Sequence, residues 1–127
     1  MNFDISQRFH FEAAHTLVRQ TEAAASRRIH GHTYLAEVTV RGPRDSNSGM
    51  VVDLGLLRQE IEKLRAVLDH SFLDEISDLG APTLENLSAF IATRLRHLHP
   101  RVSSVRVWRE AIGDSCLLRI DDREHIY

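Results

Sequence analysis

From Phe3 to His15 the apolar side chains Phe3, Ile5, Phe9, Phe11 and Ala13 recur at every second position, with Gln7 interrupting. A period of two places that set on one face of a strand and the polar set on the other. His15 shares the parity of the apolar set and so points inward, where an imidazole needs a partner or a metal. A second strand is predicted from about His32 to Arg41. Tyr34, Ala36, Val38 and Val40 lie on one face, with Glu37, Thr39 and Arg41 mostly on the other. Its expected partner is the first strand. Gly42-Pro43 through Ser48-Gly49 reads as a turn-rich connection.

From Leu54 the spacing becomes helical, with Leu57, Ile61, Leu64 and Leu68 on one stripe and Glu60, Glu62, Lys63 and Arg65 on the other side. Asp53 precedes it as an N-cap. A second helix starts after Pro82-Thr83, with Thr83 as cap, and continues through Leu87, Phe90, Ile91, Leu95 and Leu98 until Pro100 stops it. Two strands follow, Ser104 to Glu110 and Ser115 to Asp121, joined across Gly113-Asp114.

The resulting order, β-β-α-α-β-β, predicts an α+β fold: a four-stranded antiparallel sheet with both helices covering one face. On this reading aromatic and aliphatic side chains remain on the other face, and association of subunits is the natural way to cover them. The connection from Thr16 to Ile29 carries Ala23, Ala24, Ala25, Arg19, Arg27 and Arg28. Its length predicts a binding loop rather than slack.

Composition narrows the class. The 127 residues suit one domain spanning 1–127. Charged residues at 27% and a formal charge of -2 give no broad field for nucleic acid or a membrane surface. The single cysteine, Cys116, forms no internal disulfide, consistent with a reducing compartment. No apolar run is long enough to span a bilayer, and Asp4, Arg8 and Glu12 stand where a signal peptide would be apolar. A cytoplasmic location is expected.

The candidate chemistry centres on His30-Gly31-His32. In an extended segment residues i and i+2 project to the same side, so two imidazoles face one point, and His15 offers a third. Gly31 is expected where backbone and metal approach closely. Three histidines leave the fourth tetrahedral position of a zinc ion for water or substrate, the arrangement of catalytic rather than structural zinc. The same pair is equally two polar side chains on one strand face. His10, His97, His99 and His125 read as solvated or helix-end residues. In Asp69-His70 a carboxylate beside an imidazole orients the ring for base catalysis, or simply closes a helix. Glu110, at a strand end, is either solvated or able to accept parallel hydrogen bonds from an amino-heterocycle. Thr83, Glu85 and Asn86 are most simply a helix start.

Taken in order, Phe11-Glu12-Ala13-Ala14-His15, His30-Gly31-His32-Thr33-Tyr34, Gly49-Met50-Val51-Val52-Asp53, Leu68-Asp69-His70, Pro82-Thr83-Leu84-Glu85-Asn86 and the strand from Val105 to Glu110 span nearly the whole chain. This series resembles the 6-pyruvoyl-tetrahydropterin synthase and 6-carboxytetrahydropterin synthase family. The resemblance implies a tunnelling fold, in which sheets of neighbouring subunits join into a barrel, commonly a hexamer with active sites at subunit borders. It implies catalytic zinc on His15, His30 and His32, a proton relay of Asp69 and His70, a pterin anchor at Glu110, and Thr83 and Glu85 along the substrate pocket. The implied substrate is 7,8-dihydroneopterin triphosphate, with Arg19, Arg27 or Arg28 as contacts for its phosphates. The implied product is the pyruvoyl pterin or the carboxy pterin of 7-deazaguanine (queuosine) synthesis.

One position departs from the family pattern. Four residues before His30, where the family places a catalytic cysteine, the chain has Ser26. A thiol with a pKa near about 8.5 ionises far more readily than a hydroxyl. Four readings follow: Ser26 as a working replacement, a diverged relative with aldolase-like side-chain cleavage, a pterin-binding protein without turnover, or a domain in which zinc merely staples two strands.

Overall fold

In the computed structural model, residues 1–120 are described. The end of the predicted last strand, at Asp121, and His125 lie outside them. The elements run β1 (Phe3–His15), α1 (Ala23–Arg27), β2 (His30–Gly42), α2 (Leu54–Leu68), β3 (Ser71–Phe72), a 3-10 turn (Leu73–Glu75), α3 (Leu84–Arg96), β4 (Val102–Arg109) and β5 (Asp114–Arg119). The predicted succession of long elements is present. Three short ones, α1, β3 and the 3-10 turn, are added in connections whose sequences carry too few residues for a periodic signal. Helix α3 ends at Arg96 rather than running on through Leu98, because the chain turns before Pro100.

The sheet has five strands in the order β3-β1-β2-β4-β5. β1 and β2 pair antiparallel over their whole lengths, from Phe3 opposite Gly42 to His15 opposite His30. That register sets the three histidines together, because His32 lies opposite Ala13, two residues from His15. β3 adds parallel to β1 at Ala13 and Ala14, beside the same end.

Helices α2 and α3 lie on one face. Leu57, Ile61, Leu64 and Leu68 of α2 and Leu87, Ile91, Ala92 and Leu95 of α3 meet Phe11, Ala13, Tyr34, Ala36, Val38, Val105 and Val107 of the sheet in one buried cluster. Burying each large aliphatic side chain contributes roughly 1.5–3 kcal/mol, so the two stripes fix the helices to the sheet. Asp53 caps α2 by accepting from the Gly55 amide at 2.8 Å, and Thr83 caps α3 by accepting from the Asn86 amide at 3.1 Å.

The opposite face differs from the sequence expectation. It carries cross-strand polar pairs: Arg8 with Glu37 at 2.7 Å, Arg41 with Asp4 at 2.8 Å, and the Ser6 and Thr39 hydroxyls at 2.9 Å. Trp108 lies between the guanidinium groups of Arg8 and Arg106, whose Cζ atoms stand 5.5 and 4.7 Å from its ring centroid. This face is therefore polar, and an uncovered apolar surface supplies no argument for association. Among the described residues no helix is long and apolar enough to cross a membrane.

Candidate metal centre and flanking clefts

The inward parity of β1 leaves His15 1% exposed, and the β2 register brings His30 and His32 against it. The His15 Nε2 lies 3.0 Å from the Nε2 atoms of both His30 and His32. All three ligand nitrogens fall within 4.8 Å of one another.

Backbone oxygens determine which nitrogens are free. The Nδ1 of His15 is 3.0 Å from the Pro82 carbonyl, and that of His30 is 2.7 Å from the Arg28 carbonyl. A carbonyl only accepts, so both Nδ1 atoms carry the proton and both neutral rings turn an Nε2 lone pair inward. The His32 Nε2 stands 3.2 Å from Arg109 Nη1; a guanidinium only donates, so this nitrogen too carries the lone pair, and a metal ion held there takes that lone pair in place of the Arg109 contact. Lone pairs facing one another at this distance repel unless a cation lies between them. Protons are disfavoured there: burial first, and then the charge of Arg109, push the His32 pKa down to about 4, while burial lowers that of His15. A metal ion is the cation this donor set fits. Nitrogens around tetrahedral zinc stand about 3.3 Å apart, close to the two 3.0 Å separations from His15.

The His15 side of the site is held further. The Tyr34 hydroxyl lies 3.4 Å from His15 Nδ1, and burial raises the Tyr34 pKa to about 12, so it remains a neutral phenol. Asp74 accepts from both the Thr16 amide and its hydroxyl, pinning the chain just after His15. Among the described protein atoms, a Cβ at Gly31 would meet only the Ala13 carbonyl at 3.7 Å, an ordinary contact.

A family model for 6-pyruvoyl tetrahydropterin synthase matches residues 4–119. The chain belongs to that family. It is 35% identical over 109 residues to a 6-carboxy-5,6,7,8-tetrahydropterin synthase of Synechocystis, covering 81% of this chain and 83% of the relative. It is 34% identical over 97 residues to a dihydroneopterin monophosphate aldolase of Pyrococcus furiosus, covering 76% and 77%. The fold superposes on the structure of Caenorhabditis elegans 6-pyruvoyl tetrahydropterin synthase with a TM-score of 0.80 at 23% identity, over 95% of this chain and 97% of that one.

In this member of the family, His32 borders two separate clefts. One, of about 480 Å³, is lined by Ser26, His30, His32, Arg19, Glu22, Arg109 and Asp114 among others. That volume lies within the range of small-molecule sites, roughly 300–1,000 Å³. Ser26 reaches it from α1 and is 6% exposed; its carbonyl accepts from the Leu17 amide at 2.7 Å, closing the long connection onto itself. Arg27 and Arg28 are exposed, while Arg19 pairs with Glu22 at 3.5 Å.

The second cleft, about 380 Å³, is lined by Glu12, Gly31, His32, Thr33, His70 and Ser71 among others. Asp69 caps the end of α2, and one carboxylate oxygen accepts from the Glu12 amide at 2.9 Å while the other faces His70 Nδ1 at 2.9 Å. The Glu12 amide is the first cause of the lowered Asp69 pKa. His70 itself takes a left-handed φ of 57°, a conformation costing roughly 1–3 kcal/mol for a residue with a Cβ. Its amide donates to the Glu12 carbonyl at 2.6 Å, which helps hold that turn. The side chain of His70 is 80% exposed.

The other candidates lie elsewhere. Glu110 follows β4, is exposed, and accepts from the Trp108 indole at 2.9 Å. Thr83 and Glu85 open α3 and line neither cleft, although the neighbouring Pro82 carbonyl orients His15. Cys116 sits in β5 opposite Val107, not in the cleft of Ser26. Sequence reading missed Arg109 beside His32. The available signal was parity, since Val105 and Val107 face inward on β4 and Arg109 continues that face.

Proposed function

We propose that this chain is a zinc-dependent lyase acting on 7,8-dihydroneopterin triphosphate or a related dihydropterin, in the manner of a 6-carboxytetrahydropterin or 6-pyruvoyl-tetrahydropterin synthase. The observation that carries this reading is the convergence of three Nε2 atoms, those of His15 and His30 left free by the Pro82 and Arg28 carbonyls at Nδ1 and that of His32 facing only the donor Arg109, which a metal ion would replace. His15, His30 and His32 hold the metal. Bound there, zinc supplies a Lewis acid that polarises the hydroxyls of the pterin side chain and stabilises enolate-type charge.

The protein's own groups do the rest. His70, oriented through Nδ1 by the Asp69 carboxylate, takes a carbon-bound proton at its other ring nitrogen. Ser26 takes the place of a thiol in proton transfer, its hydroxyl activated by a neighbouring base during reaction. Glu110, with one oxygen engaged by Trp108, uses its remaining acceptor capacity to anchor the amino-heterocycle. Thr83 and Glu85, which line neither cleft of one copy, would meet the substrate only where a neighbouring copy completes the pocket, and Arg19, Arg27 or Arg28 meets the phosphates. Ser26 and His70 open onto different clefts, which favours a homo-oligomer, of the hexameric kind, whose active site combines a residue of one copy with the relay pair of another. The enzyme works in the cytoplasm, in a pathway of the 7-deazaguanine type.

A second reading has its own support. Ser26 in place of cysteine, together with the relative named as an aldolase, favours carbon–carbon cleavage of a dihydroneopterin side chain. The test is incubation of the zinc-loaded protein with dihydroneopterin triphosphate and with its monophosphate, with products identified by mass, alongside Ser26→Cys. The variant is expected to gain the synthase reaction; a glycolaldehyde-type fragment from the unsubstituted protein selects the aldolase reading. Absence of stoichiometric zinc, or turnover that survives chelation, removes the zinc mechanism altogether.

A further inference from the structure

Arg109 is the one group at the metal centre whose presence works against a cation. It is the last residue of β4, its side chain is 13% exposed, and Nη1 stands 3.2 Å from His32 Nε2. Nη2 is paired with Asp114, and Nε is buried without a hydrogen-bond partner among the described residues. The guanidinium is thus anchored on one side and aimed at the imidazole nitrogens on the other. A fixed positive charge beside a divalent ion is repulsive, the more so away from bulk water. The arrangement would become favourable with an anion between them that accepts from Nη1, as in charge-assisted pairs generally.

The same cleft limits how much negative charge it welcomes. Arg19 and Arg109 line it together with Glu22 and Asp114, so its charged side chains balance, and each arginine already has a carboxylate partner. Between Arg109 and the imidazoles the cleft thus suits a single carboxylate, and the phosphates of the proposed substrate would fall to Arg27 and Arg28 outside its lining. Resting on the reading of His15, His30 and His32 as metal ligands, we propose that Arg109 is a specificity residue that binds a carboxylate at the open coordination position. It thereby favours pterins whose side chain at ring position 6 ends in a carboxylate over those ending in neutral hydroxyl or carbonyl groups.

The experiment uses full-length protein loaded with cobalt(II), a spectroscopic substitute for zinc, titrated with pterin-6-carboxylate, 6-hydroxymethylpterin, acetate and inorganic phosphate. Wild type is expected to bind the carboxylate pterin at least ~10-fold more tightly than the neutral one, and Arg109→Gln to lose that preference while the affinity for the neutral pterin holds. Because a like charge is removed, metal affinity in Arg109→Gln should stay level or rise, and Arg109→Lys should restore part of the preference. An unchanged preference, failure of both pterins to bind, or a parallel fall in metal and in both pterin affinities overturns the proposal, the last by showing a merely structural role. Phosphate perturbing the cobalt spectrum at lower concentration than acetate overturns the choice of carboxylate. If wild type takes up neither cobalt nor zinc, the underlying metal reading fails instead.

Discussion

The imidazole trio and the Asp69–His70 pair both flank His32's end of the sheet, yet they are held in opposite ways. His15 is 1% exposed, and the free orientation of its ring is removed by the distant Pro82 carbonyl and that of the His30 ring by the Arg28 carbonyl just before it in the chain. In the relay pair only the carboxylate is clamped, by the Glu12 amide, whereas the His70 ring is 80% exposed. The difference follows chemical need. Ligands for a metal must converge within tenths of an ångström, and for His15 and His30 the second partners are backbone oxygens that cannot rotate away. A proton-transfer group needs one fixed nitrogen and one that remains approachable, which a single carboxylate partner provides.

This contrast can be broken most severely at the trio. His30→Ala is expected to abolish stoichiometric zinc and to lower turnover on the order of 10³-fold, as loss of several kcal/mol of charge stabilisation requires. Metal analysis beside a steady-state assay checks it, and retained zinc would remove His30 from the ligand set. His70→Asn should act on rate alone, lowering turnover about 10²-fold with zinc content unchanged. A matching loss of metal would mean that the two regions are one unit.

Thr83→Ala probes the support of His15 rather than the ligand itself. Losing the cap of α3 should cost about 1 kcal/mol in a denaturation experiment. The slackened Pro82 carbonyl should also weaken zinc binding about tenfold in a competition titration with a chelator. Stability loss without any change in zinc affinity would uncouple that carbonyl from the site. The smallest effect concerns pH. In metal-free protein His32 is held at about 4, against 6.5 in the unfolded chain, mainly by burial. Between those values the unfolded chain binds the proton more readily, so stability falls as pH drops from 6.5 toward 4. Denaturation midpoints across that range should decline in wild type and decline less steeply in His32→Asn, where the lowered His15 still contributes.

Much of the fold was readable because strong periodicity and burial agree. Phe3 to Ala13 alternate and are buried toward one face; Leu57, Ile61, Leu64 and Leu68 fall on one helical stripe and pack against it. The outer sheet face was misjudged because parity assigns side chains to a face without saying how polar neighbours pair across strands. Arg8 with Glu37 and Asp4 with Arg41 are encounters between strands, set by register.

The sequence by itself determined which residues have metal-binding chemistry, since His30 and His32 share a strand face by the geometry of the backbone and His15 shares the inward parity of β1. Only tertiary structure decided how those rings are used. The Pro82 carbonyl comes from 67 positions beyond His15, and Arg109 reaches His32 across 77. Local spacing carries no information about such meetings, because they exist only after β1, β2 and β4 have paired and α3 has packed against them.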